Sequence, residues 1–249
     1  MVVIEPPEGE GDASRNFTSE MREMTVSNAR LMESVDLLEK EGFTLIKDKT
    51  LFKEFDSFER IRERYYPACV QMVIDTMGAS AAFAFDHNIR VDGNSEEHRK
   101  PAGITHVDLT EASARRILGE QIPGAGYESA AGKRFVFVNT WRPLINPVYN
   151  AHLAFCAASS VPEISLLRAE LRYEDRIGEL YYCAHHEKHR WYYFPQMTCD
   201  EVLLLKNYDS ASDGRASFAP HTAIQDPTAP ANAPRRQSIE VRIIALFDK

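Results

Sequence analysis

The stretch RFVFVNTWRPL, residues 134–144, decides how this chain is read. It crowds β-branched and aromatic side chains into one short run and ends at a proline, the composition of a strand and not of a helix. The same texture returns downstream in ELYYCAHHEKHRWYYFP (179–195), DEVLLLKNYDS (200–210), SFAPHTAIQD (217–226) and SIEVRIIALF (238–247). ELYYCAH and HRWYYFP, parted by a few charged residues, predict a hairpin, and SVPEISLLRAELRY (160–173) predicts a helix between strands.

Upstream the pattern is mixed. EGFTLIKD (41–48) predicts one strand, and SFERIRERYYPACVQMVIDTM (57–77) repeats its apolar residues at helical spacing, kinked or divided by Pro67 and stopped by Gly78. AAFAFDHNIR predicts a strand leading into the charged loop DGNSEEHRKPAG, and TEASARRILGE predicts a short helix. Loops at 91–103 and 121–131 are the expected covers of a pocket. The first 20 residues, rich in Glu, Asp, Gly and Pro, predict a flexible acidic arm; residues 21–249 then form a single domain, with helical support over about 57–78 and a β core over about 79–249. The fold class is mainly β with flanking helices, a mostly antiparallel barrel or jelly roll. No GxGxxG or GxxxxGK motif supports a dinucleotide or P-loop fold.

The formal net charge of −8, from 37 acids and 29 bases, argues against a nonspecific grip on nucleic acid or an anionic membrane. The N-terminus has no basic-then-apolar leader, and no window is apolar enough to span a bilayer. Cys69, Cys156, Cys183 and Cys199 are scattered and show no metal-site spacing, which predicts free thiols and a cytoplasmic protein.

ITHVDLT (104–110) places His106 and Asp108 two residues apart, on one face of extended backbone. His221, on a strand far downstream, supplies a second imidazole if antiparallel closure brings it opposite. Two histidines and one carboxylate make the facial triad of non-haem Fe(II) oxygenases, which leaves positions open for a bidentate 2-oxo acid and O₂. Asp108 has a competing role as cap of the helix that follows, but Thr110 can take that role. The far carboxylate of a 2-oxo acid needs a fixed cation. On the strand of PRRQSIEVRIIALF, Arg236, Ser238, Glu240 and Arg242 share one face, so Arg236 with Ser238, or Arg242, can bind it.

FDHNIR, HVDLT, NTWRPL, HRWYYFPQMT, DEVLLLKNYDS, FAPHTAIQDP and PRRQSIEVR together resemble the AsaB/CmcJ-type hydroxylase/desaturase group of the Fe(II)/2-oxoglutarate-dependent oxygenases, over roughly residues 40–249. The resemblance implies a double-stranded β-helix, a cupin-like jelly roll. It implies His106, Asp108 and His221 as iron ligands, Arg236 with Ser238 as the 2-oxoglutarate clamp, and Fe(II), 2-oxoglutarate and O₂ as cofactor and co-substrates. Its members hydroxylate or desaturate small secondary metabolites. His221 and Arg236 stand fifteen residues apart, longer than the commonest spacing in the superfamily, so Arg242 stays a candidate anchor. Tyr182 and Lys206 are further candidates for positioning 2-oxoglutarate. His87, Asn139, Trp141, Arg142, Arg190 and Tyr192 are candidates for a substrate pocket. His185, His186 and His189 lack the HExxH arrangement and are expected in solvent at a hairpin tip. A metal-dependent hydrolase or isomerase on the same barrel would share the triad without needing Arg236, and a noncatalytic small-molecule-binding barrel would need neither.

Overall fold

The computed structural model describes residues 2–5, 14–32, 36–49, 52–93, 98–122, 133–172 and 177–248, with the backbone path alone for 2–5 and 14–15. In chain order its strands begin with β1 (Val2–Glu5), β2 (Ser14–Arg15), β3 (Val26–Asn28), β4 (Phe43–Lys47), β5 (Ala81–Val91), β6 (His106–Val107) and β7 (Phe135–Pro143). They continue with β8 (His152–Cys156), β9 (Leu166–Arg172), β10 (Ile177–Cys183), β11 (Trp191–Tyr193), β12 (Glu201–Asp209), β13 (His221–Ile224) and β14 (Gln237–Leu246). The helices are α1 (Leu37–Glu41), α2 (Phe58–Arg60), α3 (Tyr66–Met77) and α4 (Glu111–Gln121).

The strands form two sheets. One runs β2-β1-β9-β10-β6-β13-β8-β11-β3 and the other β4-β12-β7-β14-β5. Strand alternation divides the second sheet's side chains between two cores. Val136, Val138, Val202, Leu204, Ile239, Val241 and Ile243 pack outward against Tyr65, Cys69 and Val73 of the helical segment. Trp141, Leu203 and Leu205 face inward and meet Phe43, Leu153 and Phe155 between the sheets. The result is a jelly roll with one helical flank, as the sequence predicts. Val2–Glu5, within the expected arm, runs parallel to β9 and pairs with Ser14–Arg15.

The helix over 57–77 forms with a defect that proline explains. Phe58–Arg60 passes into a π-helical turn, Ile61–Tyr65, closed by Tyr66 N–H donating to Ile61 O. Pro67 then sits in the first turn of α3, where its missing N–H leaves no bond unmade. Gly78 ends the helix at φ 66°, with its N–H on Ile74 O at 2.9 Å.

Two sequence expectations differ from the fold, and one strand has no expectation. Residues 160–173 are not a helix: two 3₁₀ turns, Ala158–Ser160 and Glu163–Ser165, lead into β9. Pairing with β10 on one side and β1 on the other gives this segment a sheet environment that overrides its local helical spacing. β10 and β11 are not a hairpin, since β10 lies between β9 and β6 while β11 lies between β8 and β3. Alternation marks both as strands but does not choose their neighbours. His152–Cys156 is a strand unread in the sequence, because all five residues are buried and no alternation shows. Most of the expected cover at 121–131, and residues 94–97 of the one at 91–103, lie outside the described residues.

Candidate metal and co-substrate site

His106 and His221 are cross-strand partners on β6 and β13, so one rung of the nine-stranded sheet presents both imidazoles, with ring centroids 4.4 Å apart. Tyr182 on β10 pairs with His106 from the other side and packs on Phe17 at 5.1 Å. Asp108 lies just past the end of β6. One ligand atom from each of His106, Asp108 and His221 falls within 4.8 Å of the others, the sole cluster of its kind among the described residues.

The surroundings fix each donor. His106 Nδ1 bonds Ile104 O at 2.8 Å and His221 Nδ1 bonds Ala219 O at 3.2 Å. A carbonyl only accepts, so each Nδ1 carries the proton and each Nε2 keeps its lone pair for a metal. Those Nε2 atoms stand 3.4 and 3.9 Å from Asp108 Oδ1. Burial, and then the neighbouring His106, push His221 down to about 3, so it is neutral at physiological pH. Burial alone would raise the Asp108 carboxyl, but Arg242 and the two imidazoles hold it well below the usual carboxylate range.

Asp108 is held on three sides. Asn139 Nδ2 donates to its Oδ2 at 2.9 Å, its own N–H donates to Asn207 Oδ1 at 3.2 Å, and Arg242 Nη2 stands 3.6 Å from Oδ2. Thr110, not Asp108, caps α4, in a reciprocal pair with Ser113. Asn207 Nδ2 and Arg242 Nε are buried beside the triad without a hydrogen-bond partner in the protein, Arg242 Nε having only an ion contact with Glu240 at 3.8 Å. Donors left open around an imidazole and carboxylate set fit a site completed by a divalent metal and an anionic ligand.

β14 carries the second half of the site. Arg236 is 2 % exposed, donates through Nε to Ser238 Oγ (3.2 Å) and through Nη1 to Ala151 O (2.6 Å), and lies over the Trp141 ring at 5.0 Å. Ala151 presents that carbonyl from the left-handed region, at φ 51°. No carboxylate of the described residues pairs with Arg236. Burial, and then nearby Arg90, push its pKa down to about 9. Arg242 is in the opposite situation, joined to Asp86 at 3.0 Å and facing Asp108. Arg236, Trp141, Glu240, His106 and His221 line one cavity.

Other candidates fall elsewhere. Lys206 is fully buried in a network with Asp209 (2.7 Å), Glu39 (3.0 Å) and Ala216 O, away from the triad. Parity explains this, because Lys206 continues the Val202 and Leu204 face. His87 bonds Tyr66 Oη at 2.8 Å beneath the helices, and Arg142 bonds Tyr65, Cys199 O and Asp48 on that same outer side. Arg190 is exposed and donates to Ser159, while Tyr192 packs into the inter-sheet core near Phe43. Of the histidine group, His185 is exposed, but His189 is buried against Ser165 Oγ at 3.2 Å. Asn207 was not anticipated. Alternation places it on the inward face with Leu203 and Leu205, and what spacing does not signal is its contact with Asp108.

The chain is similar to known proteins. A family model described as the oxidoreductase/YMDC permease-like domain matches residues 1–246. The hydroxylase/desaturase efuI of Hormonema carpetanum is 31 % identical over 90 % of this chain and 83 % of its own. The Fe(II)/2-oxoglutarate-dependent dioxygenase nvfI of Aspergillus novofumigatus is 29 % identical over 97 % of this chain and 88 % of its own. A solved structure of the iron- and α-ketoglutarate-dependent endoperoxidase NvfI superposes with a TM-score of 0.87 at 26 % identity, covering 100 % of this chain and 92 % of that one. With a jelly roll that seats two imidazoles and a carboxylate together at its centre, the chain belongs to the hydroxylase/desaturase family of Fe(II)/2-oxoglutarate-dependent dioxygenases.

Proposed function

We propose that His106, Asp108 and His221 hold the iron, that Arg236 with Ser238 binds the distal carboxylate of 2-oxoglutarate, and that the enzyme hydroxylates or desaturates an unactivated C–H bond of a small secondary-metabolite-type substrate. When bound, Fe(II) with 2-oxoglutarate and O₂ supplies the oxidising power, releasing succinate and CO₂. The protein's part is positional. The β6–β13 rung fixes both imidazoles, Asn139 and Asn207 orient Asp108, and Trp141 forms the wall against which Arg236 is held. Asp108 and the two imidazoles leave part of the metal's coordination to ligands.

The observation that carries the choice of anchor is that Arg236 is buried without a carboxylate while Arg242 already has three beside it, Asp86, Asp108 and Glu240. An uncompensated buried guanidinium is costly until an anion arrives. The test is anaerobic titration of 2-oxoglutarate into Fe(II)-loaded protein, following the weak visible charge-transfer band. Arg236→Gln is expected to weaken 2-oxoglutarate binding at least about 30-fold, in line with a charge-assisted bidentate contact. Iron binding should be retained in that variant and lost in His106→Ala. Unchanged 2-oxoglutarate affinity in Arg236→Gln would move the anchor to Arg242.

A further inference from the structure

Two guanidiniums line the cavity that ends at the triad. Arg236 is one; Arg90 of β5, directly across the ladder from Ser238, is the other. Arg90 Nη1 donates to Lys100 O at 2.8 Å, and Arg90 forms no ion pair with a carboxylate of the described residues. Glu240 faces the same cavity, but its ion contact is with Arg242 Nε at 3.8 Å. The distal carboxylate of 2-oxoglutarate carries a single charge and is matched by Arg236 with Ser238. Arg90 is left over.

Positive charge gathers around Arg90 in a chain whose net charge is −8. Arg99, Lys100 and Arg235 are exposed and, like Arg90, have no ion pair among the described residues. Backbone bonds hold these segments together, with Val91 N–H on Arg99 O at 3.1 Å and Asp92 N–H on Arg236 O at 2.8 Å. Gly93, at φ +101°, makes room for Arg235, whose Nη1 would stand 2.7 Å from any Cβ there. Several exposed arginines elsewhere are paired with carboxylates, as Arg64 is with Glu54 and Arg116 with Glu120. Exposed cations thus lead to a half-buried one and then to the buried anchor, an arrangement that draws anions inward.

We infer that Arg90 receives a carboxylate carried by the substrate, so that the enzyme acts on an acidic small molecule whose apolar body lies against Trp141 and Leu153. The inference rests on the proposed reading of Arg236 as the 2-oxoglutarate anchor, because only then is Arg90 free for a second anion. Guanidinium and carboxylate match as a fork, and the charged pair discriminates strongly against a neutral ester.

The test uses full-length protein loaded anaerobically with Fe(II) and N-oxalylglycine, an unreactive mimic of 2-oxoglutarate, and titrated calorimetrically with 4-phenylbutyrate, decanoate and their methyl esters. At least one acid is expected to bind about 10-fold or more tightly than its ester. Arg90→Gln should erase that preference, Arg90→Lys should restore part of it, and both should keep the wild-type affinity for N-oxalylglycine. Circular dichroism confirms that the variants fold. The inference is overturned if acids and esters bind alike, if no acid binds, or if Arg90→Gln weakens N-oxalylglycine as much as Arg236→Gln does. Failure of wild-type protein to bind N-oxalylglycine at all would instead remove the 2-oxoglutarate reading beneath it.

Discussion

Asp108 is the ligand whose position depends most on its neighbours, because it lies beyond the end of β6 where no ladder holds it. Asn139 Nδ2 is the side-chain donor that fixes its Oδ2. Asn139→Ala is expected to weaken Fe(II) affinity about 10- to 100-fold, as loss of outer-shell partners does, while far-UV circular dichroism stays unchanged. Metal titration by equilibrium dialysis reads this directly, and an unaltered affinity would mean that Arg242 and Asn207 suffice. Lys206 gives the contrasting case of a buried charge with a structural job. Lys206→Met leaves Asp209 and Glu39 short of a cation, although Arg134 still bonds both. A loss of about 2–4 kcal/mol in urea unfolding is expected, with 2-oxoglutarate affinity unmoved. A shift in that affinity instead would return Lys206 to the site.

Among the elements, α4 shows how a cap protects a ligand. Thr110 Oγ1 accepts from Ser113 N–H at 3.1 Å and donates to Glu179 Oε2 at 2.8 Å, so the helix start never competes for Asp108. Thr110→Ala is expected to cost about 1–2 kcal/mol, read as a lower urea midpoint, with iron affinity falling less than for Asn139→Ala. The cap and the His106/Asp108 pair were legible in ITHVDLT because both depend on short spacings, strand parity for His106 and Asp108 and a three-residue reach for Thr110, whereas His221 depends on the pairing of β13 with β6. The Arg236/Ser238 face was legible for the same reason. What spacing does not reveal is partnership across the sheet. The false hairpin of β10 and β11, the contact of Asn207 with Asp108, and which face of the five-stranded sheet meets the helices, carrying His87, Arg142 and Lys206 with it, all depend on which strands and helices lie next to which. Nothing in the spacing singles out Arg90, whose meaning comes from Ser238 across the ladder and from the lack of a carboxylate.

Across the whole molecule, the ends of the sheets are fastened by acidic side chains whose ionisation governs behaviour in acid. Burial by itself would raise Glu201, but hydrogen bonds from Arg30 and from the Thr198 N–H bring it down to about 2, and Arg30 reaches it at 2.7 Å from the segment after β3. Asp209 and Glu39 are likewise held low against burial by Arg134 and Lys206. His152 and His189 are pushed down by burial and fold as neutral rings. The unfolded chain therefore takes up protons on these imidazoles first, so stability should begin to fall below about pH 6.5. A depressed carboxylate contributes fully above its unfolded value and loses that contribution as pH falls through its folded one. For Glu201 that window runs from 4.5 down to about 2. Glu201→Gln is expected to be less stable than wild type by about 1–2 kcal/mol at pH 7, allowing for solvent at the Arg30 side, and to follow the wild-type slope down to about pH 4.5. Below that the two urea-unfolding curves should converge, meeting near pH 2. A gap that stayed constant to pH 2 would show that Glu201 acts through packing and hydrogen bonding with no contribution from its charge.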